Sequence, residues 1–309
     1  MSSVHGSATE RPFVSVIVPA YNDEEGIRRT LESVTAQTYP NECYEVLAID
    51  NNSTDDTKAV IRGFCEQYPQ TVELLVEEQK QGPPAARNKG LEHASGSIIA
   101  FIDADMTVDE TWLESLADTM QRNEWDYMGC NVEITLEDGR ETLTGKYNQI
   151  FGFPMKKYIE NAQFAGTGCL VVRRTVFDEV GVFDSRLEFS GDREFGDRVY
   201  RAGFDQHFQP DITMYHPARA SLRDMLAKSF RNGRAQTYLT EYDPDRFGRR
   251  SIAHPRNYLP LHPSYFYKKV NRETGIATHE MVLIYLIAYL SKLCVAAGRI
   301  YERVTDRGR

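Results

Sequence analysis

The chain has 309 residues, 41% hydrophobic and 26% charged, a composition that supports one large buried core with or without an appended region. Its 36 Lys and Arg against 45 Asp and Glu leave a net charge of −9, which argues against general nucleic-acid binding, because that needs a basic footprint on phosphates. The five cysteines are scattered without a C-x-x-C pair, a pattern of reduced thiols rather than of a disulfide frame or zinc site.

The leader over residues 1–12 is small and polar and lacks an apolar h-region, so the folded part is expected to face the cytoplasm. Phe13 to Pro19 is a β-branched run that reads as a buried strand, followed by a polar turn and a helical spacing over Ile27 to Thr38. Tyr44 to Asp50 reads as a second strand. The polar cluster behind it offers Ser53 or Thr54 as the cap of a helix to about Tyr68. Val72 to Val76, Pro84 to His93 and Ser97 to Ile102 read as strand, helix and strand, the last closing on Asp103-Ala104-Asp105. Strands alternating with helices predict a mostly parallel, doubly wound α/β sheet, whose ligands bind beyond the carboxyl ends of the strands. Polar clusters sit at three of those ends: Ala20 to Asp23, Asp50 to Ser53 and Asp103 to Asp105.

Beyond Trp112 the pattern is mixed. Tyr127 to Thr135 alternates like a strand, Glu141 to Glu160 reads as helix, Gly168 to Val172 as strand, and Gly191 to Ala202 as a charged helix. Ile212 to Tyr215 is strand-like, and Leu222 to Leu239 predicts a basic amphipathic helix. Met281 to Gly298 is strongly apolar but interrupted by Ser291 and Lys292. A membrane crossing, an interfacial helix and a helix buried at a homo-oligomer contact all fit it, and membrane association is the expectation.

Two carboxylates at a strand end can hold Mg²⁺ or Mn²⁺ through hard oxygens while leaving room for diphosphate oxygens. A lone D-x-D is weak evidence. Here it follows PPAARNKG (Pro83–Gly90), with VPAYN (Val18–Asn22) and the strand-end Asp50 upstream. Together with VSVIVPAYNDEEGI, VLAIDNNSTDDT, GPPAARNKGLEHASGSIIAFIDADM and GDREFGDRVYRAGF, this order of segments resembles the family 2 glycosyltransferases of GT-A fold. The resemblance spans roughly Phe13 to His216. It implies a catalytic domain over 13–218, with a nucleotide-binding half (13–106) and an acceptor half (107–218), and a helical region over 219–309 that more loosely resembles membrane-associated members.

The resemblance also implies roles. Pro19, Ala20 and Tyr21 would line the nucleotide pocket, and Asp50 would accept a hydrogen bond from the uracil N3–H. Asn52 and Arg87 would lie near base and diphosphate, Asp103 would meet ribose or metal, and Asp105 would be the direct metal ligand. Asp192 would be the base that deprotonates the acceptor in an inverting transfer from a UDP-sugar, or less readily a GDP- or dTDP-sugar, to a lipid-linked or saccharide acceptor. Gly191 stands where the family usually has Glu, which leaves Glu194 as an alternative base. His216 can complete a metal site or serve as a structural histidine. Arg234, with Arg231 on the basic helix, can meet a phosphate or form a solvated face. Asp50 and Asp192 can equally be read as helix caps. A nicotinamide oxidoreductase is disfavoured by the missing G-x-G-x-x-G after the first strand; a non-catalytic nucleotide-sugar-binding module is the remaining alternative.

Overall fold

The structure, a computed structural model, describes residues 11–136, 142–248, 251–270 and 276–305. In chain order the first elements are β1 (Val14–Ala20), α1 (Glu24–Thr35), β2 (Tyr44–Asp50), α2 (Thr57–Gln67), β3 (Val72–Val76), α3 (Pro83–His93), β4 (Ile98–Phe101), β5 (Thr107–Val108) and α4 (Trp112–Arg122). They are followed by β6 (Tyr127–Thr135), α5 (Leu143–Phe151), α6 (Met155–Ala162), β7 (Leu170–Arg173), α7 (Arg174–Val180), α8 (Gly191–Arg201) and β8 (Gln206–Pro217). The C-terminal region supplies α9 (Leu222–Tyr242), α10 (Pro244–Phe247), α11 (Pro263–Val270) and α12 (Thr278–Thr305).

Eight strands form one sheet in the order β3-β2-β1-β4-β7-β6-β8-β5. The first four are parallel, with Ala20 level with Asp50 and Asp50 level with Val76, so three strands finish at the same edge. β7 then runs antiparallel to both β4 and β6. Parallel strands covered on both faces need continuous apolar runs. Val16, Ile17, Val18, Leu47, Ile49, Ile99 and Phe101 have no solvent exposure, each such aliphatic or aromatic side chain contributing roughly 1.5–3 kcal/mol of burial.

Several boundaries differ from the sequence reading, each for a local reason. α1 begins at Glu24 because Asp23 caps it, its Oδ1 accepting the Gly26 N–H at 3.0 Å. Ser53 and Thr54 do not cap α2, which starts at Thr57. The Ser53 hydroxyl accepts the Asn22 N–H (3.0 Å) and the Thr54 N–H donates to Asn22 Oδ1 (2.8 Å), stapling the turns after β1 and β2 together. The single helix expected over 141–160 is two, α5 and α6, broken ahead of Pro154, which cannot continue a helix; Glu141 itself lies outside the described residues.

The chain divides into two compact units that interleave in sequence. The first comprises the chain up to Asn131, Met155–Ser185 and Phe195–Met214; the second comprises Val132–Pro154, Arg186–Glu194 and everything from Tyr215 onward. Residues 107–218 are thus distributed over both units. In the first, Phe177, Phe183 and Phe195 join the aliphatic residues under the sheet, with Phe177 and Phe195 stacked at 5.0 Å.

In the second unit α12 packs along α9. Gly233 on α9 lies against the backbone of Val295, and Gly298 on α12 lies against the backbone of Phe230, so the two helices approach at backbone contact. Ile284, Ile287, Ala288 and Ser291 form the buried side of α12, while Val282, Leu283, Leu286, Leu290, Ile300 and Val304 are exposed. Among the described residues α12 is the one helix long and apolar enough to cross a membrane.

Candidate functional site

Where β1 and β4 end, a cleft of about 300 Å³ opens, lined by Pro19, Ala20, Tyr21, Asp23, Asn51, Gln81, Gly82, Pro83, Ala86, Arg87, Asp103, Ala104 and Asp105. Its position follows from topology: parallel strands present their carboxyl ends and the helices after them present their N-termini at one edge. Six of the residues singled out in the sequence meet here: Pro19, Ala20, Tyr21, Arg87, Asp103 and Asp105. Tyr21 is half exposed, an amphipathic ring available for stacking at the rim.

Arg87 rises from the first turns of α3 and donates from Nη2 to Asp103 Oδ1 at 2.7 Å. Its side chain is only 12% exposed, and its Nε–H has no hydrogen-bond partner, so a strongly charged donor group is held dry at the wall of the cleft. Facing it are acids. Burial pushes the Asp23 carboxyl above the usual range, and repulsion from Asp105 and Asp55 adds to this, while the Gly26 N–H and Arg29 oppose it. A carboxylate-lined pocket in which one acid is already penalised by its neighbours suits a divalent cation held by hard oxygen ligands. Among the described residues no three His, Cys, Asp or Glu side chains converge to cage a metal. Asp105, with Asp103 beside it, therefore fits a cation whose remaining ligands come from solvent or a bound diphosphate.

Asp50 and Asn52 do not line this cleft. Asp50 is buried and its Oδ1 accepts the Ser53 N–H at 3.3 Å; Asn52 is exposed, in a left-handed backbone conformation with φ 63°. Asn51, between them, is the residue that faces the cleft. Neighbouring side chains on a strand point to opposite faces, and the final register of β2 decides which polar residue is presented.

The other sequence-derived candidates lie in the second unit. Asp192, in the first turn of α8, accepts the Arg193 N–H on Oδ1 at 2.8 Å, and the Arg193 guanidinium sits 5.4 Å over the Phe247 ring. Glu194 is buried and paired with Arg246 Nη1 at 3.3 Å. The Arg234 Nε donates to Glu302 Oε2 at 2.6 Å, its Nη2 lies 3.9 Å from Glu188, and the guanidinium covers Phe189. Arg231 is exposed. His216 is buried beside Phe153, with Nδ1 2.7 Å from the Pro217 carbonyl oxygen. A carbonyl only accepts, so Nδ1 carries the proton, and Nε2 is the basic nitrogen of the neutral ring.

Known proteins match this chain over most of its length. The model of glycosyl transferase family 2 matches residues 15–181. Glycosyltransferase AglE of Haloferax volcanii is 37% identical over 295 residues, 94% of this chain and 95% of that protein. The UDP-Glc:alpha-D-GlcNAc-diphosphoundecaprenol beta-1,3-glucosyltransferase WfgD of Escherichia coli is 34% identical over 52% of this chain and 59% of its own length. Among solved structures, the mannosyltransferase PcManGT from Pyrobaculum calidifontis, in complex with GDP-Man and Mn²⁺, superposes with a TM-score of 0.65 at 20% identity, covering 95% of this chain and 88% of that one. S. aureus TarS 1-349 in complex with UDP-GlcNAc superposes with a TM-score of 0.54 at 17% identity, over 96% and 92% of the two chains. The sheet is that of the GT-A fold, and the chain belongs to glycosyl transferase family 2.

Proposed function

We propose that this protein is a cation-dependent, inverting glycosyltransferase that moves a sugar from a nucleoside-diphosphate sugar, UDP-linked by preference, to a lipid-linked or saccharide acceptor. The observation that carries the reading is the convergence of Tyr21, Arg87, Asp103 and Asp105 in one cleft at the carboxyl ends of β1 and β4. Tyr21 and the Pro19–Ala20 backbone receive the nucleoside, and Arg87 orients Asp103 toward the ribose and the cation. Asp105 would hold Mg²⁺ or Mn²⁺, which would supply positive charge against the diphosphate as it departs.

Asp192 is the assigned base. Glu194 is already committed to Arg246 and buried, which disfavours it for proton transfer. As the acceptor oxygen attacks, Asp192 takes its proton, the new glycosidic C–O bond forms at the anomeric carbon, and the C–O bond to the diphosphate breaks. The nucleoside diphosphate leaves with the electron pair, and attack from the opposite face inverts the anomeric centre.

The names of similar proteins support donor and acceptor class: GDP-Man with Mn²⁺ in PcManGT, UDP-GlcNAc in TarS, and a diphosphoundecaprenol-linked acceptor in WfgD. A lipid-linked acceptor places the enzyme at the cytoplasmic face of a membrane, and the exposed aliphatic side of α12 suits that location. Calorimetric titration of UDP with and without Mn²⁺ tests the core of the reading. Tight binding only with the cation is expected; no binding, or binding indifferent to the cation, overturns it.

A further inference from the structure

We infer that Asn51 is the positioning residue of the nucleotide cleft: its carboxamide ties the 77–82 loop and the start of α3 to the end of β2, and through α3 sets where Arg87 holds Asp103. The inference rests on the proposed nucleotide site and adds a residue to which the sequence assigned no role.

The geometry is specific. Asn51 is 3% exposed. Its Oδ1 accepts the Gly82 N–H at 2.6 Å, and its Nδ2 donates to the Glu77 carbonyl at 3.1 Å and the Lys80 carbonyl at 3.0 Å. Its own N–H donates to the Ala20 carbonyl at 2.9 Å, so the residue is anchored to β1 as well. One buried side chain thus holds three stations of a loop that has no regular ladder. The loop is also tied by the Glu77 N–H to the Asp50 carbonyl at 3.0 Å at its start, by the local Gln79 and Lys80 N–H bonds to Glu77 Oε1, and by the long contact of Lys80 Nζ with Ser185 Oγ at 3.5 Å.

The third station matters most. Gly82 has φ 132°, a conformation other residues rarely adopt, and its carbonyl accepts the Ala85 and Ala86 N–H groups that open α3. Arg87 follows one turn later and carries the 2.7 Å bond to Asp103. Gln81, Gly82 and Pro83 are themselves cleft wall. Moving the Gly82 N–H therefore moves both that wall and the origin of the arginine. Neither neighbour can substitute, since Asp50 turns to Ser53 and Asn52 is exposed. Rigid, hydrogen-bonded second supports of this kind hold a site in its binding geometry before the ligand arrives.

The test uses the full chain, UDP and Mn²⁺ as probes, and three variants. Asn51→Ala removes all three side-chain bonds. Asn51→Asp is isosteric and keeps only the acceptor for Gly82, separating lost donors from lost packing. Ser95→Ala is the control: the Ser95 hydroxyl donates to Glu45 Oε1 at 2.7 Å beside the amino end of β4, away from the carboxyl-end cleft, so its loss costs a hydrogen bond without touching the cleft. Amide hydrogen exchange over 77–88 without nucleotide, and the UDP dissociation constant with Mn²⁺, are read for each. Both Asn51 variants are expected to speed exchange over 77–88 and to weaken UDP by about 10- to 100-fold, the scale of one or two lost hydrogen bonds, while Ser95→Ala does neither. Should Asn51→Ala fail to fold, Asn51→Asp carries the test. UDP binding within twofold of the unaltered protein in the folded Asn51 variants overturns the inference. If the unaltered protein binds no UDP, the proposed function fails while the exchange measurement still decides whether Asn51 holds the loop.

Discussion

Gly168 lies directly beneath the carboxylate of Asp103: a Cβ at that position would overlap Asp103 Oδ2 and stand 2.7 Å from its Cγ. The other carboxylate oxygen is the one that accepts from Arg87 at 2.7 Å. Asp103 is thus bracketed by an arginine on one side and by the absence of a side chain on the other. Gly168→Ala is expected to push Asp103 off its pairing geometry and weaken UDP with Mn²⁺ by at least about tenfold. Overpacking of this kind typically costs 1–3 kcal/mol of stability, read by chemical denaturation. Unchanged UDP affinity in the folded variant would show that the position of Asp103 is immaterial to the donor.

Asp105 and Asp23 repel across the cleft, and this gives a titration that reports on the proposed cation site. The Asp23 carboxyl sits above the ordinary 3.8 in the folded protein, so folding favours its protonated form. The corresponding penalty is absent below 3.8 and develops as pH rises through the raised value. Asp105→Asn removes one source of repulsion and is expected to lower the Asp23 titration midpoint, measured by carboxyl-carbon NMR. The same variant is expected to bind UDP equally with and without Mn²⁺. Retained Mn²⁺ dependence would move the cation away from Asp105.

Much of the first hundred residues is legible in the sequence because buried parallel strands are continuous apolar runs. Val14–Ala20, Tyr44–Asp50 and Val72–Val76 stand out on that ground, as do the polar clusters behind the first two. Asp103 and Asp105 line the cleft because they directly follow β4. Asn51 escapes notice beside Asp50, since adjacent polar residues at a strand end differ only in the face they are given. α4 was readable in principle: Trp112, Leu113, Leu116, Ala117 and Met120 are buried at helical spacing. The interleaving of the two units has no local signal at all, because it depends on which strands β6 and β8 join.

His207 stacks on Trp125 with ring centroids 4.2 Å apart and planes 5° from parallel. Burial holds its imidazole below the ordinary 6.5, with Asp205 and Asp126 only partly opposing the shift. A histidine whose folded value is depressed favours folding while neutral. That contribution is present above 6.5 and declines as pH falls from 6.5 through the folded value. Urea midpoints measured between pH 7 and 5 are expected to fall, and His207→Phe, which keeps a flat ring on Trp125, is expected to flatten that fall. An unchanged slope would assign the acid sensitivity to other groups.

The contact between α9 and α12 sets two opposing effects against each other at Gly233 and Gly298. Alanine is the better helix former by about 1 kcal/mol in a helix interior, so on propensity alone either Gly→Ala substitution would stabilise. Packing opposes it. The added methyl at Gly233 would enter the Val295 backbone, and at Gly298 the Phe230 carbonyl, and neither obstacle is the far end of a flexible side chain. Separating the helices enough to admit a methyl would also stretch the Arg234–Glu302 pair at 2.6 Å and part Phe230 from Tyr301, now 5.6 Å apart. Overpacking against unyielding backbone costs about 1–3 kcal/mol or more, which exceeds the propensity gain. Each single substitution is therefore expected to lower stability by about 1–2 kcal/mol net, measured by urea denaturation followed by far-ultraviolet circular dichroism. Stabilisation by either one would mean that α9 and α12 do not approach at backbone contact in solution.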